Sequence, residues 1–547
     1  MKKKILNKNV AVAFLGLLCL IAASCKKNKD IEIDTPATPS TGTATRAEQT
    51  LDSLFLYAKQ VYFWNTALPE YSAFNPRRFA GTLSGYNQEL YAITQYSPIN
   101  TATGKPYEYP LSASEAANFD AKYSYINDLT LANPNVSAGI NDKAAVDTEG
   151  NGNDIGIRPV YYLTSNSESG PYLLFVTAVY PSSPAETAGV KRGWVITKVN
   201  GNTIGNNFTT ENSTISGAFN AASVKIEGYN FLDKVAFSLT LNKASYKSSP
   251  VYLSKVFTRS GKKIGYLSYA RFSSLTNETV PSDSNLDPVF TEFSSQGVTD
   301  LIIDLRYNGG GYVNSAEYLA NLIAPAGLTG KTMFVEYYNS LMQSNGATLL
   351  KNQPLIGSDG KIRRQDNGTI LTYANVDYSV AGNTVLFKKK GNLNTVTNVV
   401  FIVSRNTASA SELLINSLKP YMTVQLVGET TYGKPVGFFP ITLENRYEVY
   451  MSSFETKNSS NEGGYYSGMI PGTLSNENPS YVFGDEREVN LLAALNLIAP
   501  AAANQGARSS VAERSTSTAV FNAVSSKPVN PNSEFNGMIE NRYKLKK

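Results

Sequence analysis

A chain of 547 residues is too long for a single hydrophobic core and points to about three to four domains. Its 49 Lys and Arg against 44 Asp and Glu leave a net charge of only +5, which gives no electrostatic case for a nucleic-acid partner. The sequence contains no histidine. That excludes Ser-His-Asp triads, Cys-His pairs and the commonest metal ligand, and it leaves lysine as the natural base for any nucleophilic chemistry.

The chain begins with a basic cluster, Lys2, Lys3 and Lys4, followed by an apolar run over residues 10–23 that is too short to span a bilayer comfortably. Small residues then lead into Ile21-Ala-Ala-Ser-Cys25. This pattern resembles a bacterial lipoprotein signal. The resemblance implies removal of the signal within residues 1–25, with Cys25 the lipidated first residue of the mature chain. It also implies an envelope location with a membrane anchor, on the periplasmic face or the cell surface. An ordinary signal peptide cut nearby is the plainer alternative. Cys19, the other cysteine, falls in the removed part, so the mature chain is expected to lack disulfides. No later stretch approaches ~20 apolar residues, so no further membrane span is expected. Residues 26–46, rich in Lys, Asp, Thr and Pro, read as a flexible tether. In 47–150, Leu51, Leu54, Phe55, Tyr57, Ala58, Val61 and Tyr62 recur at helical spacing, which predicts an N-terminal helical region.

Residues 147–154, DTEGNGND, form a turn-rich hinge. Beyond it, apolar β-branched runs at 173–179, 195–199 and 235–241 predict strands. Asn200-Gly201 predicts a tight hairpin between two of them. The strings Ser183-Pro-Ala-Glu-Thr-Ala-Gly189, Gly193-Trp-Val-Ile196 and Val199-Asn-Gly201 make residues 153–245 resemble a PDZ domain, with Trp194 standing where that family usually has aspartate. The resemblance implies that Ile155, Gly156 and Ile157 line a peptide-binding loop. Such domains add a peptide strand to a sheet edge and capture a carboxylate with backbone N–H groups. Asp154 beside that loop would weaken carboxylate capture, and Arg158 is the residue placed to offset it.

Residues 246–500 alternate strands and helices: strands at 264–267, 301–304, 399–403 and 424–427, helices at 313–323 and 410–418. Strand, turn, helix and strand in this order predict right-handed crossovers in a mainly parallel sheet. The fold class expected is therefore α/β and multidomain, with a helical N-terminal region, a PDZ-like β domain and an α/β core. In such sheets functional groups collect at the carboxyl ends of strands, and Asp304–Gly311 and Asn406–Ser409 both fall there. Residues 501–547, rich in Ala, Asn, Ser and Thr and ending in KLKK, read as a mobile tail.

Three short segments carry chemistry. In Thr407-Ala-Ser-Ala-Ser-Glu412, Ser409 stands at a helix start, although Ser409-x-x-Glu412 before an apolar run is also a capping box, and Ser411 competes as the nucleophile. Lys434, on the Tyr432-Gly-Lys434 turn, is flanked by Pro435, Val436, Phe438 and Phe439. A lysine starts near pKa ~10.4 and must fall to roughly 7–8 to serve as a base, and desolvation lowers it. A nearby Glu412 would oppose that fall. In Asp304-Leu-Arg-Tyr-Asn-Gly-Gly-Gly311, three glycines allow backbone N–H groups to converge on an anion. A flexible turn is the plain reading, and a Walker loop is excluded because Tyr312-Val313 replaces Lys-Ser/Thr.

In this order, with the PDZ-like string, these segments resemble the carboxyl-terminal processing peptidases, S41-type serine peptidases with a PDZ domain and a Ser-Lys dyad. The resemblance covers residues 153–500. It implies Ser409 as nucleophile, Lys434 as general base, Glu412 at an acidic position of the motif, and the N–H groups of Gly310 and Ala410 as oxyanion hole. Phe438 stands where some members place a lysine-orienting glutamine, and Gly472 replaces an aspartate that often follows Gly-x-x-Pro. The function implied is cleavage of exported protein or peptide substrates recruited by the PDZ domain, with no metal or organic cofactor. The alternative is a catalytically inactive, peptide-binding lipoprotein.

Overall fold

The computed structural model describes residues 44–130, 146–277, 279–357, 360–500, 523, 525–529, 537–540 and 542–546. The signal and Cys25, and nearly all of the proposed tether, lie outside the described residues.

The chain opens with helix Arg46–Val61, entered through a capping box in which the Thr45 N–H donates to Glu48 Oε2 at 2.7 Å. A helix of this size cannot bury its apolar stripe alone. Leu51, Leu54, Phe55, Ala58 and Val61 pack with Leu90 and Ile93 of helix Leu83–Thr94 into the same core as the α/β block. Strand Tyr125–Asp128 also pairs with Tyr447–Tyr450. The N-terminal helices thus share a core with the 246–500 block instead of forming a separate one.

Residues 157–242 build an antiparallel sheet around Ile157–Leu163, Tyr172–Val179, Trp194–Val199, Ser223–Asn230 and Ala236–Asn242, with helix Phe208–Asn220 packed on it. Its core gathers Ile157, Leu174, Val176, Ile196, Ile215 and Ile226. Asn200 and Gly201 take φ of 50° and 82°, the positive pair that a tight hairpin needs, and Lys198 pairs with Thr203 across it.

The central sheet runs in the order Val251–Arg259, Lys262–Tyr269, Asp300–Asp304, Asn398–Val403, Thr423–Gly428 and Thr473–Leu474. The first two strands pair antiparallel and the remaining neighbours parallel. Leu301, Ile303, Val399 and Phe401 face helices Val313–Ile323 and Ala410–Leu418, while Ile302, Val400 and Ile402 face helix Val489–Ile498. Burial on both faces is why these strands read as unbroken apolar runs. Four of the central sheet's five neighbouring pairs are parallel and one is antiparallel, so the expected core sheet is partly mixed. Two antiparallel sheets flank the central one, Thr384–Leu386, Thr332–Tyr338, Phe454–Asn458 and Val436–Gly437 in one, Pro440–Leu443, Tyr447–Tyr450 and Tyr125–Asp128 in the other. They use hairpins and long-range pairings that no βαβ pattern signals.

Within the tail expected to be mobile, two described stretches are paired as strands. Ser525–Pro528 pairs with Ile157–Leu163, and Gly537–Ile539 pairs with Gly310–Tyr312. A sheet edge takes on a strand through backbone groups alone, so a polar sequence there need not stay in solvent.

Candidate active site

The loops after Asp300–Asp304 and Asn398–Val403 meet at the carboxyl ends of their parallel strands. Cross-loop bonds brace them. The Leu305 N–H donates to Ile402 O (2.8 Å), Thr407 Oγ1 to Leu305 O (2.8 Å), the Ala408 N–H to Asn308 O (3.2 Å) and Ser411 Oγ to Asn308 O (3.0 Å). Beneath them Arg306 is buried, donating to Asp304 and Glu488. Ser411 is therefore engaged in bracing the loop.

Ser409 caps helix Ala410–Leu418 with φ 60° and ψ −110°, a left-handed-side backbone that a non-glycine residue holds only under constraint. Its N–H donates to Glu412 Oε2 (2.8 Å). Its hydroxyl lies in the position of a capping group but is fully buried and makes no hydrogen bond of proper geometry among the described residues. The capping reading thus holds for the glutamate and not for the serine hydroxyl. Ala410 opens the helix, where an amide N–H has no intrahelical acceptor.

Lys434 is 1 % exposed. Its Nζ donates to Tyr123 O (3.3 Å) and lies 4.4 Å from the Phe438 ring centroid. Burial pulls the amine down from its ordinary value to about 7, against the opposing pull of Glu108 and Glu412. Phe438, which replaces an orienting glutamine, acts as the wall beneath the amine, and a main-chain carbonyl supplies the direction. No Ser409–Lys434 hydrogen bond is formed, since Ser409 Oγ has no partner.

The Glu412 carboxylate receives four donors: the N–H groups of Ser409, Gly433 and Lys434 at 2.8 Å each, and Thr431 Oγ1. Burial raises its pKa while these bonds hold it down. The side chain expected among the catalytic residues is thus consumed in tying the serine turn to the lysine turn. Gly433 has φ 83°, and a β-carbon there would lie 2.4 Å from Gly468 N, so only glycine fits before Lys434.

Two further expectations change. The Gly310 N–H, expected in the oxyanion hole, donates to Asn308 Oδ1 (2.9 Å), because the asparagine two residues earlier closes a local turn. In the β-module, the Gly156 N–H donates to Asp154 Oδ1 (2.7 Å), which also accepts from Tyr246, while Ile155 and Ile157 are buried in the module core. The loop's own aspartate occupies the donor expected for a ligand carboxylate. Arg158 does not offset it: the guanidinium stacks over Tyr307 at 4.2 Å and donates to Thr177.

The pattern of the sequence did not reveal Glu108, Lys122 and Tyr123. Glu108 is fully buried, accepts from Ser124 and favours the charged lysine. Lys122 Nζ donates to Gly433 O (3.3 Å) and Tyr466 O (2.8 Å), and burial lowers its pKa to about 8. Nothing in residues 105–125 carries a motif, so only three-dimensional contact could have found them. A small cavity beside the glycine loop is lined by Tyr180, Tyr252, Arg271, Tyr307, Gly309 and Gly310.

Residues 263–471 match the model of peptidase family S41. The chloroplastic C-terminal processing peptidase of Tetradesmus obliquus is 26% identical over 282 residues, 50% of this chain and 50% of that protein. A probable CtpA-like serine protease of Staphylococcus aureus is 23% identical over 269 residues, 48% of this chain and 42% of that protein. The chain thus spans half or less of the length of these relatives. The crystal structure of a putative S41 protease from Bacteroides fragilis superposes with a TM-score of 0.52 at 20% identity, covering 84% of this chain and 99% of that one. Residues 263–471, with the serine, glutamate and lysine turns at the ends of their strands, are a peptidase family S41 domain.

Proposed function

We propose that the chain is a serine endopeptidase working through a Ser409–Lys434 dyad. Ser409 attacks the scissile carbonyl, and Lys434 takes its proton and returns it to the leaving amine. Water then hydrolyses the acyl-enzyme, again with lysine help. The developing oxyanion lies against the N–H groups of Gly310 and Ala410, once Asn308 turns away from Gly310. Glu412 positions both turns. The observation that carries this reading is the amine: a lysine sealed from water and brought to about 7 is a competent base where imidazole is absent.

The 153–245 module is read as a PDZ domain that recruits an extended segment of substrate at the edge of Ile157–Leu163. With its carboxylate loop closed by Asp154, it favours internal segments over chain ends. Export and a lipid anchor at Cys25 rest on the N-terminal sequence pattern. Among the described residues no helix is long and apolar enough to cross a membrane.

The unformed Ser409–Lys434 bond favours one other reading, a degenerate core that only binds peptides. Casein cleavage by the chain beside Ser409→Ala and Lys434→Ala separates the two. The dyad predicts cleavage by the unmodified chain and a loss of about 10³-fold or more in each variant. Cleavage that persists in Ser409→Ala would overturn the assignment.

A further inference from the structure

We propose that the two tail strands Ser525–Pro528 and Gly537–Ile539 are intramolecular ligands that occupy the substrate path of the site described above and hold the enzyme at rest. The proposal rests on the peptidase reading for its consequence, and on two independent strand pairings for its geometry.

The first pairing lies on the β-module. Ser525–Pro528 runs antiparallel to Ile157–Leu163, with Ser525 opposite Leu163 and Pro528 opposite Val160. The Val529 N–H donates to Pro159 O (3.2 Å), and the Val529 side chain, 7 % exposed, joins the apolar core of the module. This is strand addition with one apolar anchor, the way an extended peptide docks on an open sheet edge.

The second pairing lies in the catalytic cleft. Gly537–Ile539 runs parallel to Gly310–Tyr312, and Ile539 bridges to Phe438 on its other side. The Gly537 N–H donates to Gly309 O (3.0 Å), the Phe438 N–H to Met538 O (3.3 Å) and the Glu540 N–H to Phe438 O (3.4 Å). The segment therefore lies between the glycine loop and the strand that follows Lys434. A β-carbon on Gly310 would sit 2.2 Å from Gly537 O and 3.1 Å from Ser409 Cβ, so the tail carbonyl and the serine flank the same glycine. Met538 is fully buried. Beyond it Arg542 pairs with Glu540 and Glu317, and Tyr543 shares a 2.8 Å hydrogen bond with Tyr373.

A substrate chain entering the same cleft needs the backbone positions that Gly537–Ile539 holds. Val529 and Gly537 are eight residues apart, a reach of at most about 28 Å. One extended polypeptide can therefore occupy the module edge and the cleft together, and the class of substrate that displaces the tail is an unfolded segment of that length or more.

The test uses the full chain. Met538→Asp places a carboxylate where the tail is sealed, and should raise casein cleavage at least tenfold. A synthetic peptide spanning residues 523–547 should return the rate to that of the unmodified chain. In a Ser409→Ala background, the fluorescein-labelled peptide should bind the Met538→Asp chain and be excluded from the chain with an intact tail. Equal binding to both, or no binding to the opened chain, overturns the proposal, as does a folded Met538→Asp chain that cleaves casein no faster than a measurably active unmodified chain. Should no variant cleave casein while the peptide binds as expected, the peptidase reading fails and tail occupancy stands. If Met538→Asp does not fold, hydrogen exchange on the Ser409→Ala chain decides. Slow exchange over residues 537–540 that accelerates at least tenfold under saturating casein supports the proposal. Fast exchange without casein, or exchange that casein leaves unchanged, overturns it.

Discussion

Replacing Lys434 by methionine should abolish cleavage and yet make the fold more stable. The buried amine has its pKa lowered from 10.5 to about 7 by desolvation. In the unfolded chain it regains its ordinary value. At pH 7 that difference corresponds to about 4 kcal/mol working against folding. The folded pKa is depressed for a base, so between about pH 7 and 10.5 the unfolded chain binds more protons than the folded one. Stability contributed at this site therefore climbs with pH through that window, and the penalty is largest below pH 7. Methionine has nearly the same length and no charge to desolvate, but it gives up the bond to Tyr123 O, a loss of about 1 kcal/mol. The expected net gain is about 3–4 kcal/mol at pH 6, shrinking towards zero or below by pH 10. Urea unfolding of both chains at the two pH values measures it. The same amine predicts that cleavage by the unmodified chain rises with pH through about 7 and then levels off. A methionine variant that is less stable than the parent at pH 6, or a cleavage rate flat from pH 5 to 9, would refute a neutral, water-excluded lysine as the base.

Glu412→Gln sets an amide NH₂ against N–H donors that now point at a carboxylate oxygen, so it should lower stability by about 2–4 kcal/mol in denaturant titration and reduce cleavage at least a hundredfold. Ser411→Ala removes only the brace to Asn308 O, and should cost about 1 kcal/mol while keeping cleavage within tenfold of the parent; a dead Ser411→Ala chain of normal stability would move the nucleophile. Arg192→Met removes buried bonds from the β-module to Tyr307, Tyr481 O and Glu477 in the core. It should cost about 3–5 kcal/mol and make the joint between module and core sensitive to limited proteolysis.

The parts of the site that were legible in the sequence are local ones. Ser409 and Glu412 are one turn apart on a helix start, and the lysine turn needs a glycine, so short-range geometry fixes them. The central strands were legible because both faces are buried and every residue of Val399–Val403 is apolar. The lysine's surroundings were not. Tyr123 lies 311 residues from Lys434 in sequence, and its contribution is a main-chain carbonyl, which no side-chain pattern encodes. Asn308 closing on Gly310, and Asp154 on Gly156, were missed for a related reason: a short polar side chain captures the amide two residues on, and glycine-rich spacing cannot reveal that capture. The tail's polar composition suggested solvent, yet its described strands are held by backbone pairing, with Val529 and Met538 buried as apolar anchors.

These misses converge on one physical point. The Gly310 N–H is held by Asn308, the Ser409 hydroxyl makes no bond to Lys434, and the tail strand lies between the glycine loop and Phe438. Glu412 ties the backbone of the two turns together, since its oxygens hold Ser409, Gly433 and Lys434 at equal distances. What remains adjustable is therefore the side chains, not the main chain. Turning Lys434 Nζ from Tyr123 O towards Ser409, and Asn308 away from Gly310, exchanges one hydrogen bond at each place for another, at a cost far below that of rebuilding a loop. A strand that leaves the cleft removes the carbonyl beside Gly310 and admits one from the substrate. The serine turn is already strained and set, so on the dyad and tail proposals the chemistry waits on occupancy of the cleft and not on folding.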